Sequence, residues 1–293
     1  MMPFIELLHS SSTVFFITLA ILGLVVGSFL NVVIHRLPLM LEKQWREESE
    51  ALLNPNKETT NSEPYNLIVP ASACPNCGHK IRAWENIPVI SYLLLKGACS
   101  QCKSPISARY PVVEILSAIL TVLISSHFGV SWQTLAFCAL GWSLLALTMI
   151  DLDTHLLPDP ITLPLLWGGL LANSVGLLVS LEDALWGAAA GYLILWSIYW
   201  IFKLLTGKEG MGYGDFKLLA ALGAWLGWMK LPLVILFSSL VGTLVALVLI
   251  LLKKQSRSNP IPFGPFLAAA GLIALLWGDT LISAYLQFTG ISY

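Results

Sequence analysis

Leu231-Pro232-Leu233-Val234-Ile235-Leu236-Phe237-Ser238-Ser239-Leu240-Val241-Gly242-Thr243-Leu244-Val245-Ala246-Leu247-Val248-Leu249-Ile250-Leu251-Leu252 carries no charged side chain and runs straight into Lys253-Lys254. Roughly 17–25 apolar residues are what a helix needs to cross a bilayer. Working outward, similar runs fall near 13–34, 111–128, 132–151, 161–180, 184–204 and 262–288, with a shorter one at 216–229. The shorter run reaches across only with its polar start included or with shielding by its neighbours. The expected fold is an all-α polytopic membrane protein with about eight transmembrane helices. Composition agrees: 56% of the 293 residues are hydrophobic, only 11% are charged, and mean hydropathy is +0.76. Soluble domains carry about 25% charged residues. The net charge of −1 leaves no basic footprint for nucleic acid. No Lys or Arg precedes the run Val14–Val33 and no small-x-small site follows it, so it reads as a retained helix rather than a cleaved signal.

Lys and Arg placement predicts orientation. Arg36, Lys43, Arg46, Lys57, Lys80, Arg82, Lys96, Lys103 and Arg109 lie between the first two apolar runs. Lys203, Lys208 and Lys217 flank a glycine-rich connector, and Lys253, Lys254 and Arg257 follow the run quoted above. With eight crossings these groups share one side, and Lys230 alone of the 16 basic residues lies on the other. That side is expected to be cytosolic, with both termini periplasmic.

Three parts are expected: a first transmembrane helix (1–34), a cytosolic zinc-binding domain (35–110) and a transmembrane catalytic domain (111–293). The cytosolic part should begin with an amphipathic helix around Leu39–Leu53 and continue as a flexible Asn/Thr/Pro tract to Pro64. Beyond that tract stand Cys74-Pro75-Asn76-Cys77-Gly78-His79 and Cys99-Ser100-Gln101-Cys102. Two C-x-x-C turns present four thiolates to a tetrahedral zinc, and four sulfurs close the site, which makes it structural. Disulfides are disfavoured in a reducing cytosol. His79 reads as a polar turn residue, and Cys138 as a small buried apolar one.

Two carboxylates stand at the edges of apolar runs. Gly210-Met211-Gly212-Tyr213-Gly214-Asp215 leads into Phe216-Lys217-Leu218-Leu219, and three glycines predict a loop with dihedrals closed to other residues. Leu147-Thr148-Met149-Ile150-Asp151-Leu152-Asp153-Thr154-His155-Leu156-Leu157-Pro158-Asp159 closes the third run. The expected topology puts Asp151 and Asp215 at one depth on one face. Two like charges in a low-dielectric site cannot both ionise cheaply, so such a pair shares a proton. One carboxylate then activates water while the other polarises a carbonyl. Asp153 ranks behind Asp151. Asp159, between two prolines, reads as a turn or cap residue. His155 reads as solvated and Lys217 as a positive-inside anchor.

Taken together, Gly27-Ser28-Phe29-Leu30-Asn31-Val32-Val33-Ile34-His35-Arg36-Leu37-Pro38, the paired C-x-x-C, the stretch Asp151–Asp159 and Gly210–Lys217 resemble the bacterial type IV prepilin peptidase family, also called leader peptidase/N-methyltransferase. The resemblance covers essentially the whole chain. It implies an aspartic peptidase of the bacterial inner membrane with Asp151 and Asp215 as its dyad, Gly210, Gly212 and Gly214 forming the active-site loop. Prepilins and the pseudopilins of type II secretion would be its substrates, cut after a short basic leader on the cytosolic face. Members with the zinc-bearing loop also methylate the new N-terminus, typically Phe, with S-adenosylmethionine, so both cofactors are implied. No methyl-donor motif is readable; the stretch 27–38 and the cysteine loop are candidates by location, although Asn31, His35 and Arg36 read as anchoring residues. A peptidase without methylation, or a transporter or scaffold with a zinc-ribbon docking loop, are the alternatives.

Overall fold

The computed structural model describes residues 2–54, 65–252 and 261–290; the expected flexible tract to Pro64 and the cluster Lys253, Lys254 and Arg257 lie outside them for the most part or wholly. The chain divides into two units, Met1–Trp142 and Ser143–Tyr293.

In the first unit, α1 (Met2–Ser10) leads into α2 (Ser12–Leu53). The Ser11 hydroxyl caps α2 by accepting from the Val14 amide at 3.4 Å. At 1.5 Å per residue, α2 is about 63 Å long, against a bilayer core of about 30 Å. The expected first span and the expected amphipathic helix are therefore one helix. Pro38 sits inside it without breaking it, since a single proline removes one hydrogen bond of the ladder.

A short helix, α3 (Ile90–Leu94), lies between the two cysteine turns, and α4 (Arg109–Phe128) packs along α2. Gly23 and Gly27 permit the contact. A methyl group on Gly23 would stand 2.6 Å from the Ala118 Cα, and one on Gly27 2.7 Å from the Glu114 Cα. Small residues one turn apart are how membrane helices bring their backbones together. Ser117 Oγ donates to the Gly23 carbonyl at 2.7 Å across this seam. Asn31 Nδ2 donates to the Tyr110 carbonyl at 3.1 Å, and buried Arg36 donates to the Asn66 carbonyl at 2.9 Å. Both residues anchor α2. Glu114, buried on α4, accepts the Val89 amide at 2.8 Å, which ties the turn before α3 to the helix pair. α5 (Trp132–Thr154) begins in this unit with buried Cys138 and crosses the boundary.

The second unit is organised around a short helix. After the end of α5 come α6 (Asp159–Ser174), α7 (Leu181–Thr206) and α8 (Tyr213–Leu226), then α9 (Leu231–Leu251) and α10 (Gly264–Thr289). α8 is buried from Asp215 to Leu226 apart from Lys217. A helix apolar all round belongs in a core. α6, α7 and α10 supply its walls, and glycines let them close in. A methyl on Gly187 of α7 would meet the Gly223 carbonyl oxygen, one on Gly191 would lie 2.6 Å from the Leu219 oxygen, and one on Gly271 of α10 2.5 Å from Leu222 Cδ2. Asn173 of α6 fastens the far end: its Nδ2 donates to the Ala224 and Trp225 carbonyls, and its Oδ1 accepts the Leu178 and Val179 amides.

All eight apolar runs are helical, but six helices among the described residues are long and apolar enough to cross a membrane. α6 and α8, with 16 and 14 residues, are not. At about 21 Å, α8 is shorter than the bilayer core, and its burial is the shielding by neighbours that so short a run was expected to need.

Candidate active site and metal centre

Asp151 sits in the last turn of α5, which ends where His155 takes φ 53° and its amide donates to the Asp151 carbonyl at 2.9 Å. A carboxylate at a helix C-terminus faces the negative end of the macrodipole. The first amide of α10 compensates: Gly264 N–H donates to Asp151 Oδ2 at 2.9 Å. Asp215 sits in the first turn of α8, at the positive end, where its own amide donates to the Gly212 carbonyl at 3.2 Å. Asp151 is 5% exposed and Asp215 7%, and the two are close enough for their charges to interact. Asp153 and His155 are exposed.

The glycine loop differs from expectation. Gly210, Gly212 and Gly214 all lie outside the left-handed region, and Gly212 is extended at φ −81°, ψ 150°. What two of them supply is space. A methyl on Gly214 would come within 2.7 Å of Leu157 Cβ, and one on Gly210 within 2.9 Å of the Phe202 ring. Leu157, 8% exposed, also stands 3.0 Å from where a methyl on Gly264 would be. One leucine of the α5–α6 turn thus wedges between the start of α8 and the start of α10.

Lys217 and Asp159 form a pair that sequence reading separates into an anchor and a cap. Lys217 Nζ lies 2.6 and 2.7 Å from the two Asp159 oxygens, so the first turn of α8 is tied to the first residue of α6. Gly264 had no chemical signature; its only mark is the stretch Pro262-Phe263-Gly264-Pro265, which reads as a helix start.

In the first unit the four cysteines converge. Cys74 and Cys102 sulfurs are 3.7 Å apart, Cys77 and Cys99 sulfurs 4.0 Å, and all four lie within 4.8 Å of one another. Disulfides have sulfurs about 2.05 Å apart. A tetrahedral ion with about 2.3 Å bonds to sulfur has edges of about 3.8 Å, so the cluster fits a metal. Each pair lies on the same kind of turn. Cys74 N donates to His79 O and Gly78 N to Cys74 O; Cys99 N donates to Ser104 O and Lys103 N to Cys99 O. Gly78 at φ 72° and Lys103 at φ 59° hold the equivalent left-handed position, one in the residue type suited to it and one not. The Ser104 hydroxyl and amide hold the Cys102 thiol down to about 6, and the Cys77 amide with the Ser104 hydroxyl lowers that of Cys74, whereas burial and the other three thiols, outweighing the His79 amide, push Cys77 up to about 11. His79 is outside the cluster and pairs with Glu85 at 3.1 Å. The Ser100 hydroxyl and the Arg82 amide, with His79, hold the Glu85 carboxyl down to about 2, so one side chain joins both turns.

Fold and sites together define a multi-pass helical membrane protein with one paired-carboxylate centre and one four-cysteine centre. Residues 21–128 match the bacterial peptidase A24 N-terminal domain, and residues 138–247 match the type IV leader peptidase family. The prepilin leader peptidase/N-methyltransferase of Aeromonas hydrophila is 59% identical over 96% of this chain and 97% of its own length. Proteins of the same name from Stutzerimonas stutzeri and Pseudomonas aeruginosa are each 56% identical, over 97% and 99% of this chain and 98% and 99% of theirs. No solved structure matches. The chain belongs to the type IV leader peptidase family, as its four motifs together had implied.

Proposed function

We propose that this protein is a bifunctional enzyme of the bacterial inner membrane. It removes the short basic leader of type IV prepilins and type II secretion pseudopilins on the cytosolic side and then methylates the new N-terminal residue, Phe. The observation that carries the peptidase half is the buried pair Asp151 and Asp215, the first held by the Gly264 amide and the second set in the first turn of α8. Aspartic hydrolysis needs two carboxyls that share a proton, one taking a proton from water and the other donating to the scissile carbonyl. Water attacks directly, so no covalent intermediate forms. The amide of Gly264 fixes Asp151, leaving its other oxygen and the Asp215 carboxyl for water and substrate. Lys217–Asp159 and Leu157 hold the starts of α8 and α10, which carry Asp215 and that amide.

Cys74, Cys77, Cys99 and Cys102 would hold zinc, whose four sulfur ligands leave no open position, so it orders residues 35–110 rather than entering a reaction step. S-adenosylmethionine supplies the methyl group. The names of the relatives support this second activity, and we place it in the part spanning 35–110. The charge distribution supports both termini being periplasmic.

The test is incubation of the purified protein with a prepilin, reading product mass with and without S-adenosylmethionine. A leader-sized loss, plus one methyl only when the donor is present, is expected. Asp151→Asn and Asp215→Asn should abolish cleavage while leaving methylation of a pre-cut pilin. Cleavage by either variant at the wild-type rate would remove the dyad, and cleavage with no added methyl would leave a peptidase alone.

A further inference from the structure

α9 has two unlike faces. Leu236, Leu240, Leu244, Leu247 and Leu251 are exposed along one side, as befits a helix turned toward lipid tails. Ser239, Gly242, Thr243 and Ala246 follow at i, i+3, i+4 and i+7 on another. This second side forms one wall of an open cleft of about 360 Å³. Leu195 and Ile198 of α7 and Phe266 of α10 line the rest of it, and Met211 and Phe263 close one end. From Ile235 to Ala246 the cleft follows α9 for about 16 Å, or three helical turns.

Two features say what fits. Lipid tails need no small residues on the protein, whereas a helix backbone approaches closely only over Gly, Ala, Ser and Thr. The cleft also reaches chain neighbours of the carboxylate pair: Met211 belongs to the loop that leads into Asp215, and Phe263 is bonded to Gly264, which holds Asp151. A helix lying in it therefore delivers its end to those two side chains.

We propose that this cleft seats the apolar membrane helix of the polypeptide substrate, so that helix docking on α9 places the preceding peptide bond at Asp151 and Asp215. The proposal rests on the peptidase reading above, and it makes Gly242 and Thr243 specificity determinants that never touch the reacting atoms.

The test compares two substrates: a full-length prepilin in vesicles of phosphatidylethanolamine and phosphatidylglycerol, and a soluble peptide that spans the cleavage junction without the apolar helix. Gly242→Leu fills the cleft, since even a methyl there lies 3.2 Å from the Phe266 ring. It should lower the ratio of kcat/KM for prepilin to that for the peptide about tenfold, mainly through KM. Leu240→Ala, on the lipid side, should leave the ratio unchanged. A photo-crosslinker at position 243 should capture the prepilin helix, and this readout does not depend on activity. An unchanged ratio in Gly242→Leu, or capture of lipid alone at position 243, would overturn the seat while leaving the peptidase reading intact. A wild-type protein inert toward both substrates would instead remove that reading, and the seat with it.

Discussion

Gly264→Ala is the substitution that most directly probes how Asp151 is held. The added methyl would lie 2.7 Å from Asp151 Oδ2 and 3.0 Å from Leu157 Cδ2, where ordinary contact starts at 3.4 Å. The carboxylate is thus 0.7 Å too close (3.4 less 2.7), and Leu157, wedged against Gly214, has little room to yield. Retreat of the carboxylate by that amount stretches the 2.9 Å bond from the Gly264 amide beyond useful hydrogen-bond length. A hydrogen bond to a charged group contributes about 1.5–3 kcal/mol. At about 1.4 kcal/mol per factor of ten, kcat for prepilin cleavage should fall about 10–100-fold. KM should change little, because the α9 cleft is untouched. The assay is cleavage of prepilin by the purified variant in detergent, with thermal unfolding followed in parallel. Wild-type kcat in Gly264→Ala would refute the argument that this amide positions Asp151.

The glycine loop makes a paired prediction: Gly212→Ala should cleave within about threefold of wild type, because its new methyl meets nothing nearer than Asp215 Oδ2 at 3.7 Å, whereas Gly214→Ala should lose most activity through its 2.7 Å clash with Leu157. Equal losses in the two variants would restore a role for backbone freedom. Lys217→Met should lower stability by about 0.5–1 kcal/mol, the range for a partly exposed pair, and exchanging Lys217 and Asp159 should recover part of it in chemical unfolding. Cys99→Ser should remove bound zinc from the purified protein by metal analysis and expose residues 83–94 to proteolysis, while prepilin cleavage falls less than methylation; full zinc content in the variant would contradict the four-sulfur ligand set.

Much of this protein is legible in its sequence because bilayers impose a local rule. Every spanning segment must be a helix of sufficient apolar length, so each apolar run could be assigned without knowledge of its neighbours. The cysteine turns are equally local: two residues between thiols determine a knuckle, and the two knuckles need only meet. Asp151 and Asp215 were visible as carboxylates at the margins of apolar runs. The two short helices α6 and α8 were read with the longer ones because apolar length does not distinguish a helix facing lipid from one enclosed by protein. Glycine was misread for a related reason. A residue without a side chain serves either backbone freedom or close approach, and only the atoms around Gly210 and Gly214 decide between the two.

By itself the sequence determined a multi-pass helical membrane protein and marked the carboxylates and cysteines of its two candidate centres, since composition, apolar length and short spacings depend on neighbours in the chain. Tertiary structure alone decided that α8 is the enclosed helix of its unit, that Gly264 holds Asp151, that Lys217 pairs with Asp159, and that the small face of α9 opens onto a cleft lined also by Met211 and Phe263. Each of these joins residues far apart in the chain through a backbone amide, an ion pair or an empty volume, and none of the three leaves a periodic trace in the order of side chains.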